Sequence, residues 1–106
     1  MRITELFDQG EFVVTAEVGP PKGIHLGHLV EEAKEYLSGI TAVNVTDNQS
    51  SVMRTSTLAT CAMMKQAGLT PIYQATCRDR NRLALQSDLL GAAALGIENI
   101  LCLTGD

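Results

Sequence analysis

Short apolar segments rich in β-branched residues alternate along the chain with longer segments whose apolar residues recur at helical spacing. Runs of the first kind indicate strands, and recurrence at i, i+3, i+4 and i+7 indicates helices with one buried face. We predict strands over residues 12–18, 42–46, 72–76 and 99–104. Because a helical segment separates each strand from the next, the pattern predicts an α/β fold with parallel strands.

Three predicted helices connect these strands. The second covers residues 54–67, and the third begins after an Asn81 cap and ends near Leu95. The apolar stripe of the first helix consists of Leu26, Leu29, Val30, Ala33, Tyr36 and Leu37. A stripe with this spacing packs one face of a helix against a sheet.

A glycine closes each predicted helix, and the three recur at nearly equal spacing, at Gly39, Gly68 and Gly96. Glycine suits the left-handed conformation that ends a helix. The chain therefore repeats one parallel βα unit. A repeat of this size suits a βα barrel and also an open doubly wound sheet.

Polar residues gather where each predicted strand ends. They are Glu17, then Thr46, Asp47, Asn48 and Gln49, then Gln74, Thr76 and Asp79, and finally Thr104, Gly105 and Asp106. The carboxyl ends of parallel strands share one rim, where ligands bind, so we predict that these side chains line one pocket. The alternative is that strand ends meet loops, which are polar in any protein. Two carboxylates on a common rim, Glu17 and Asp106, suit proton transfer.

Glu17 lies in the apolar run 12–18, which Gly19, Pro20 and Pro21 terminate. An ionised carboxylate at the end of a buried strand is costly unless it is paired, solvated or protonated. One interpretation is a partly buried acid that keeps its proton for catalysis. The other is a solvated carboxylate, or one paired with Lys22.

Composition and charge exclude several classes of protein. Among the 106 residues, 45% are apolar, which is ample for a core, so residues 1–106 are one modest domain or part of a larger one. The formal charge is −4 and no Lys/Arg cluster is present, so we expect no nucleic-acid partner. No apolar run approaches the roughly 20 residues that span a bilayer, and the N-terminus does not begin a signal peptide. We expect a cytoplasmic protein without a membrane partner.

The cysteines and histidines do not predict a metal site. Cys61, Cys77 and Cys102 are widely spaced and odd in number, which argues against disulfides and structural zinc and favours buried apolar roles. His25 and His28 are three residues apart but lack a third ligand in the sequence. We predict that they lie on an exposed first helical turn.

The sequence ends directly after the last predicted strand. A four-stranded parallel sheet without its final crossover would leave an apolar face and an edge uncovered. Full βα barrels take about 250 residues. We therefore expect the N-terminal half of a TIM (βα)8 barrel, with the remainder of the barrel outside residues 1–106.

Five segments occur in order along nearly the whole chain: FVVTAEVGPPKG, AVNVTDN, RTSTLA, IYQATCRDRNR and GIENILCLTGD. Together they resemble the methylenetetrahydrofolate reductase family, whose catalytic domain is a flavin-binding βα barrel. The resemblance implies flavin-dependent reduction of 5,10-methylenetetrahydrofolate to 5-methyltetrahydrofolate in one-carbon metabolism and methionine biosynthesis. It implies FAD as cofactor, NADH or NADPH as the expected reductant, and a folate substrate.

The resemblance also implies roles for individual residues. Glu17 matches the general acid that protonates a folate nitrogen and opens the methylene bridge. Asp106 matches an aspartate close to both flavin and folate. The implied cofactor-binding residues are Thr46, Asp47, Gln49, Gln74, Thr104, Gly105 and Asp106. Of these, Thr46 would face the flavin, and Gly105 would allow backbone to approach it closely.

Two positions depart from the family pattern. Gln74 stands where many members have histidine, and Thr104 stands where they have arginine before Gly-Asp. Gln74 still donates and accepts hydrogen bonds, whereas Thr104 lacks a fixed positive charge. These departures bear on the flavin contacts and the electron donor.

Two alternatives stay open beside the reductase. One is a non-catalytic α/β module that binds flavin or a nucleotide. The other is a half-barrel subunit that pairs with another half. We expect a homo-oligomer or a larger enzyme of which this chain is a part.

Overall fold

The computed structural model describes residues 1–37 and 39–105, and it is an α/β structure built on one four-stranded sheet. The strands are β1 (Thr15–Val18), β2 (Ala42–Val45), β3 (Pro71–Thr76) and β4 (Asn99–Leu103). They lie in the order β1-β2-β3-β4, and every neighbouring pair is parallel. The predicted α/β fold with parallel βα units is confirmed.

Three of the helices are the crossovers between strands: α2 (Gly27–Tyr36), α3 (Thr57–Gln66) and α4 (Arg82–Ala94). The predicted cap of α4 is confirmed, because Oδ1 of Asn81 accepts a hydrogen bond from the Ala84 N–H over 2.8 Å. Helix α3 begins later than predicted, since Ser56 is its N-cap and its Oγ accepts from the Ala59 N–H.

A short helix at the N-terminus, α1 (Ile3–Asp8), was not predicted. It buries no residue, so it lacks the apolar stripe by which a helix is recognised. Long-range hydrogen bonds hold it instead. The Ile3 N–H donates to Oδ1 of Asn99 over 2.8 Å, and Nδ2 of Asn99 donates to the Met1 carbonyl over 2.7 Å.

The strand bounds agree with prediction except at the start of β1. That strand begins at Thr15 rather than Phe12, and the Phe12 side chain is 91% exposed. The Val14 carbonyl still accepts a hydrogen bond from the Thr41 N–H, so the chain approaches the sheet one residue before pairing begins. The other strands start and end within one residue of the predicted positions.

The hydrophobic core lies between the crossover helices and one face of the sheet. A single cluster contains Val30 and Ala33 of α2, Met64 of α3, Ala92 of α4 and the inward residues of β2 and β3. All three crossover helices therefore cover the same face. The predicted stripe of α2 is confirmed except at Tyr36, which is 74% exposed because it lies at the edge of the buried arc.

Two of the three predicted helix-closing glycines adopt the left-handed conformation, Gly68 with φ +89° and Gly96 with φ +80°. Gly39 follows Ser38, which lies outside the described residues. The helices in the described part of the chain include none that is long and apolar enough to cross a bilayer.

The prediction for the cysteines is right at Cys61 and wrong at Cys77 and Cys102. Cys61 is buried, and burial raises the pKa of its thiol to about 12. Cys77 is exposed because it follows the end of β3. Cys102 is exposed because it lies on β4, an edge strand of the described sheet whose residues after Asn99 are all exposed.

The histidines are exposed, as predicted, although α2 begins only at Gly27, so His25 precedes the helix. His28 lies in the first turn, with Nε2 2.9 Å from a carboxylate oxygen of Glu32. Residues 1–37 and 39–105 contain no group of three or more His, Cys, Asp or Glu side chains arranged to hold a metal ion.

Candidate functional site

An open polar cleft of about 230 Å³ lies at the carboxyl ends of the strands. The described residues that were predicted to be catalytic or cofactor-binding all line it: Glu17, Thr46, Asp47, Gln49, Gln74, Thr104 and Gly105. They come from four different strand ends, which the parallel order places along one rim. Asn48 and Asp79 line a separate cavity, so the prediction of one shared pocket is wrong for those two. Asp106, predicted as both catalytic and cofactor-binding, lies outside the described residues.

Glu17 is the next-to-last residue of β1, and its side chain is exposed. The expected partial burial is not observed, because β1 is an edge strand of the described sheet and has a neighbour on one side only. No ion pair joins Glu17 to Lys22 in the part of the chain that the structure describes. The carboxyl group therefore faces the cleft and solvent.

Thr46 follows β2 and is buried, with a backbone N–H that donates to the Val18 carbonyl of the neighbouring strand end. Its Oγ1 is buried and has no hydrogen-bond partner among the described residues. A buried hydroxyl without a partner costs about 1–3 kcal/mol. Because Thr46 also lines the cleft, its hydroxyl is suited to bind a ligand group there.

Asp47 also lines the cleft, but its carboxylate is fully engaged by protein groups. Oδ1 accepts from Nη2 of Arg80 over 3.0 Å, and Oδ2 accepts from Nη1 of Arg80 and from the Thr76 N–H. Only 1% of the Asp47 side chain is exposed. The loop position predicted for Asp47 is observed, and its contact with a cofactor stays a prediction.

Gln49 begins a single 3-10 turn, Gln49–Ser51, and is exposed at the rim of the cleft. The turn is tightly folded, since Asn48, Ser50 and Ser51 have φ of 46°, 59° and 61°. Left-handed backbone is uncommon for residues other than glycine and reflects constraint by the surroundings. Here Oδ1 of Asn48 accepts the Arg54 N–H over 2.9 Å, which closes the loop.

Gln74 belongs to a chain of hydrogen-bonded side chains on the face of the sheet opposite the crossover helices. Its Nε2 donates to Oδ1 of Asn44 over 3.3 Å, and Nδ2 of Asn44 donates to Oγ1 of Thr15 over 3.1 Å. This chain crosses three strands and orients the Gln74 amide. Asn44 and Thr15 were not predicted, although both stand at alternate, outward positions of their strands.

Arg78 is a second residue at the site that was not predicted. It lines the cleft beside Thr104 and Gly105, and its Nη2 donates to the Asn48 carbonyl over 2.9 Å. Nε and Nη2 also donate to the carboxylate of Asp79, and this hydrogen bonding lowers the pKa of Asp79. The sequence signal was the run Arg78-Asp79-Arg80, which follows a strand end directly.

Gly105 has φ +114° and lies against Arg78. The predicted approach of its backbone to a cofactor stays a prediction. Thr104, where the family pattern has arginine, lines the cleft without charge, so the guanidinium of Arg78 brings a positive charge to this part of the rim.

Comparison with known proteins agrees with this picture. The family model described as methylenetetrahydrofolate reductase matches residues 2–106. The search of curated proteins found no match. The family is one of folate-related oxidoreductases. Since the matched segment covers almost the entire sequence, the chain belongs to the methylenetetrahydrofolate reductase family.

Proposed function

We propose that this chain is part of a flavin-dependent enzyme that reduces 5,10-methylenetetrahydrofolate to 5-methyltetrahydrofolate. The observation that carries the proposal is the meeting of Glu17, Thr46, Gln74 and Gly105 at one polar cleft, in a chain that belongs to the reductase family. A cytoplasmic location, a role in one-carbon metabolism and methionine biosynthesis, and assembly as an oligomer or within a larger enzyme belong to the same proposal.

The proposed architecture is the N-terminal half of a βα barrel, with residues 1–106 forming part of the reductase domain. Two features support it. The strands follow one another in sequence order, without the reversal that marks a doubly wound sheet. The crossover helices cover one face only, which leaves the other face, with Thr15, Asn44 and Gln74, toward a barrel interior.

The cleft suits FAD in two respects. The unpartnered Oγ1 of Thr46 and the oriented amide of Gln74 offer hydrogen bonds of both kinds, which a flavin ring requires. The volume of about 230 Å³ lies below the roughly 300–1,000 Å³ of sites that enclose a drug-sized ligand, so these residues would hold one portion of FAD. When bound, FAD supplies the hydride chemistry, and NADH or NADPH is the proposed reductant.

Glu17 is the proposed general acid. Its carboxyl group lines the cleft from β1, and its role would be to donate a proton to a folate nitrogen and so open the methylene bridge. Thr46 and Gln74 bind and orient the flavin, and they take no part in proton transfer. Asp106 is proposed to act near flavin and folate, as the family resemblance implies.

The test uses the full-length protein, purified with its cofactor and studied without oxygen while 5-methyltetrahydrofolate is added. We expect the absorbance of bound flavin to bleach as the methyl group returns its hydride. Glu17→Gln should retain flavin, but its reduced flavin should no longer be reoxidised by 5,10-methylenetetrahydrofolate, the direction that requires the acid. Glu35→Gln, the same change on an exposed position of α2, should behave as wild type.

The other outcomes separate the alternatives. Bound flavin that is indifferent to the folate in the wild-type protein would favour a non-catalytic binding module. A protein that binds no flavin would contradict the reductase. Reoxidation of reduced flavin by 5,10-methylenetetrahydrofolate that survives Glu17→Gln would remove Glu17 from the acid role and leave the remainder of the proposal intact.

A further inference from the structure

A buried ion pair lies beside the cleft. It joins Asp47, which follows β2 and lines the cleft, to Arg80, which follows β3. Only 1% of the Asp47 side chain and 17% of the Arg80 side chain are exposed. Removing two charges from water is costly, so a buried ion pair adds little to stability compared with apolar packing. Stability therefore does not explain the pair at this rim, and a role in fixing the geometry of the strand ends does.

The pair binds both backbone groups of Thr76. The Thr76 N–H donates to Oδ2 of Asp47 over 2.9 Å, and Nη1 of Arg80 donates to the Thr76 carbonyl over 3.2 Å. The pairing of β2 with β3 reaches only Val45 and Tyr73, so Thr76 extends past the end of its neighbour on that side. The ion pair replaces the missing ladder partner.

Arg80 is itself held from the opposite side. Its Nε lies 3.2 Å from Oδ2 of Asp88 on α4. The hydrogen bond with Asp47 raises the pKa of Arg80, so the guanidinium stays charged at any working pH. The contacts form a continuous path from α4 through Arg80 and Asp47 to the strand ends.

The residues at the end of this path line the cleft. Thr46, which carries the unpartnered hydroxyl, directly precedes Asp47, and Thr76 is bound by both members of the pair. Arg80 does not line the cleft. An effect of Arg80 on a ligand must therefore pass through the residues that it positions.

We propose that Asp47 and Arg80 are positioning residues that set the spacing between the ends of β2 and β3 and thereby place Thr46 and Thr76 for the flavin. This inference rests on the proposed function and deepens it. It gives Asp47 an indirect role in place of direct contact with the cofactor, because both of its carboxylate oxygens are already bound by protein groups.

The test measures FAD binding by the full-length apoprotein, together with its melting temperature. Arg80→Lys keeps the charge and loses the two-pronged contact. Asp47→Asn keeps an acceptor for the Thr76 N–H, and the double variant Asp47→Asn/Arg80→Gln removes both charges at once. Glu35→Gln is the matched control, since it removes a carboxylate charge at an exposed position of α2, away from this path.

We expect Arg80→Lys, Asp47→Asn and the double variant each to weaken FAD binding by about tenfold or more, as loss of outer-shell partners does at metal sites. Because the two residues act as one unit, the effects of the two changes should not add. The double variant should bind FAD at least as tightly as the single variant that binds it less well. Glu35→Gln should bind FAD within about twofold of wild type. Asn81→Ala, which lowers the melting temperature by loss of a helix cap, should also bind FAD normally.

Three results would contradict the inference or its basis. Normal FAD binding by Arg80→Lys would overturn the positioning role of the ion pair. If Asp47→Asn alone then weakened binding, the result would indicate direct contact between Asp47 and FAD. Equal weakening in Asn81→Ala at the same melting temperature would show a merely structural role. A wild-type protein that binds no FAD would overturn the proposed function itself. The first two results are seen only in variants, so this third result is distinguishable from them.

Discussion

Gly105 lies so close to Arg78 that a Cβ added to Gly105 would stand 2.7 Å from Cβ of Arg78 and 3.4 Å from its Cα. Gly105 follows the end of β4, and Arg78 follows the end of β3. Two adjacent strand ends therefore converge at one side of the cleft, and the absence of a side chain at residue 105 permits this.

Replacing Gly105 by alanine should destabilise the protein by about 1 kcal/mol or more, because φ +114° is unfavourable for alanine and the new Cβ would stand 2.7 Å from Cβ of Arg78. The measurement is the urea midpoint at unchanged m-value. Gly27→Ala is the matched control, since a Cβ there meets nothing within 4 Å. Equal stability of the two variants would contradict the contact with Arg78.

Replacing Thr46 by valine should stabilise the cofactor-free protein by about 1 kcal/mol, because the change removes a buried hydroxyl that has no partner in the described chain. The same change should weaken FAD binding. Thr46→Ser keeps the hydroxyl and should bind FAD nearly as wild type. Loss of stability in the valine variant, measured by thermal unfolding, would show that the hydroxyl already has a protein partner.

Loss of the α4 cap should cost about 1 kcal/mol, since Asn81→Ala removes the acceptor for the Ala84 N–H. Asn81→Asp and Asn81→Ser preserve an acceptor and should keep most of the stability. The readout is the free energy of unfolding in urea. A variant series in which alanine and serine are equivalent would mean that the cap contributes nothing.

The thiol of Cys61 should resist alkylation in the folded protein at pH 8, because it is buried and its pKa is raised to about 12, whereas the exposed Cys77 should react readily. Peptide mass spectrometry after brief iodoacetamide treatment distinguishes the two sites. Full labelling of Cys61 without denaturant would disprove its burial.

The same shift makes the stability of the protein depend on alkaline pH. The unfolded thiol ionises near its ordinary value of about 8.5, while the folded thiol stays protonated until about 12. The folded state binds more protons in this interval, so stability should fall as the pH rises through it. Cys61→Ala should reduce that slope in urea titrations from pH 8 to 10.

Much of the fold was predictable because its determinants lie close together in sequence. Helical spacing, the Asn81 cap and the closing glycines Gly68 and Gly96 act within one or two turns of chain. The common rim was predictable as well, because parallel strands must present their carboxyl ends on the same side. Helix α1 was not predictable, since distant hydrogen bonds to Asn99 hold it and no apolar stripe marks it.

Tertiary structure alone decided what the polar side chains do at that rim. Asp47 and Arg80 are distant in sequence and meet because β2 and β3 are neighbours whose register ends at Val45 and Tyr73. Glu17 is exposed because β1 is an edge strand of the described sheet. Sequence periodicity predicts which face of a helix or strand is buried. The partner of a charged group or a hydroxyl depends instead on strand order and register, because these bring distant residues together.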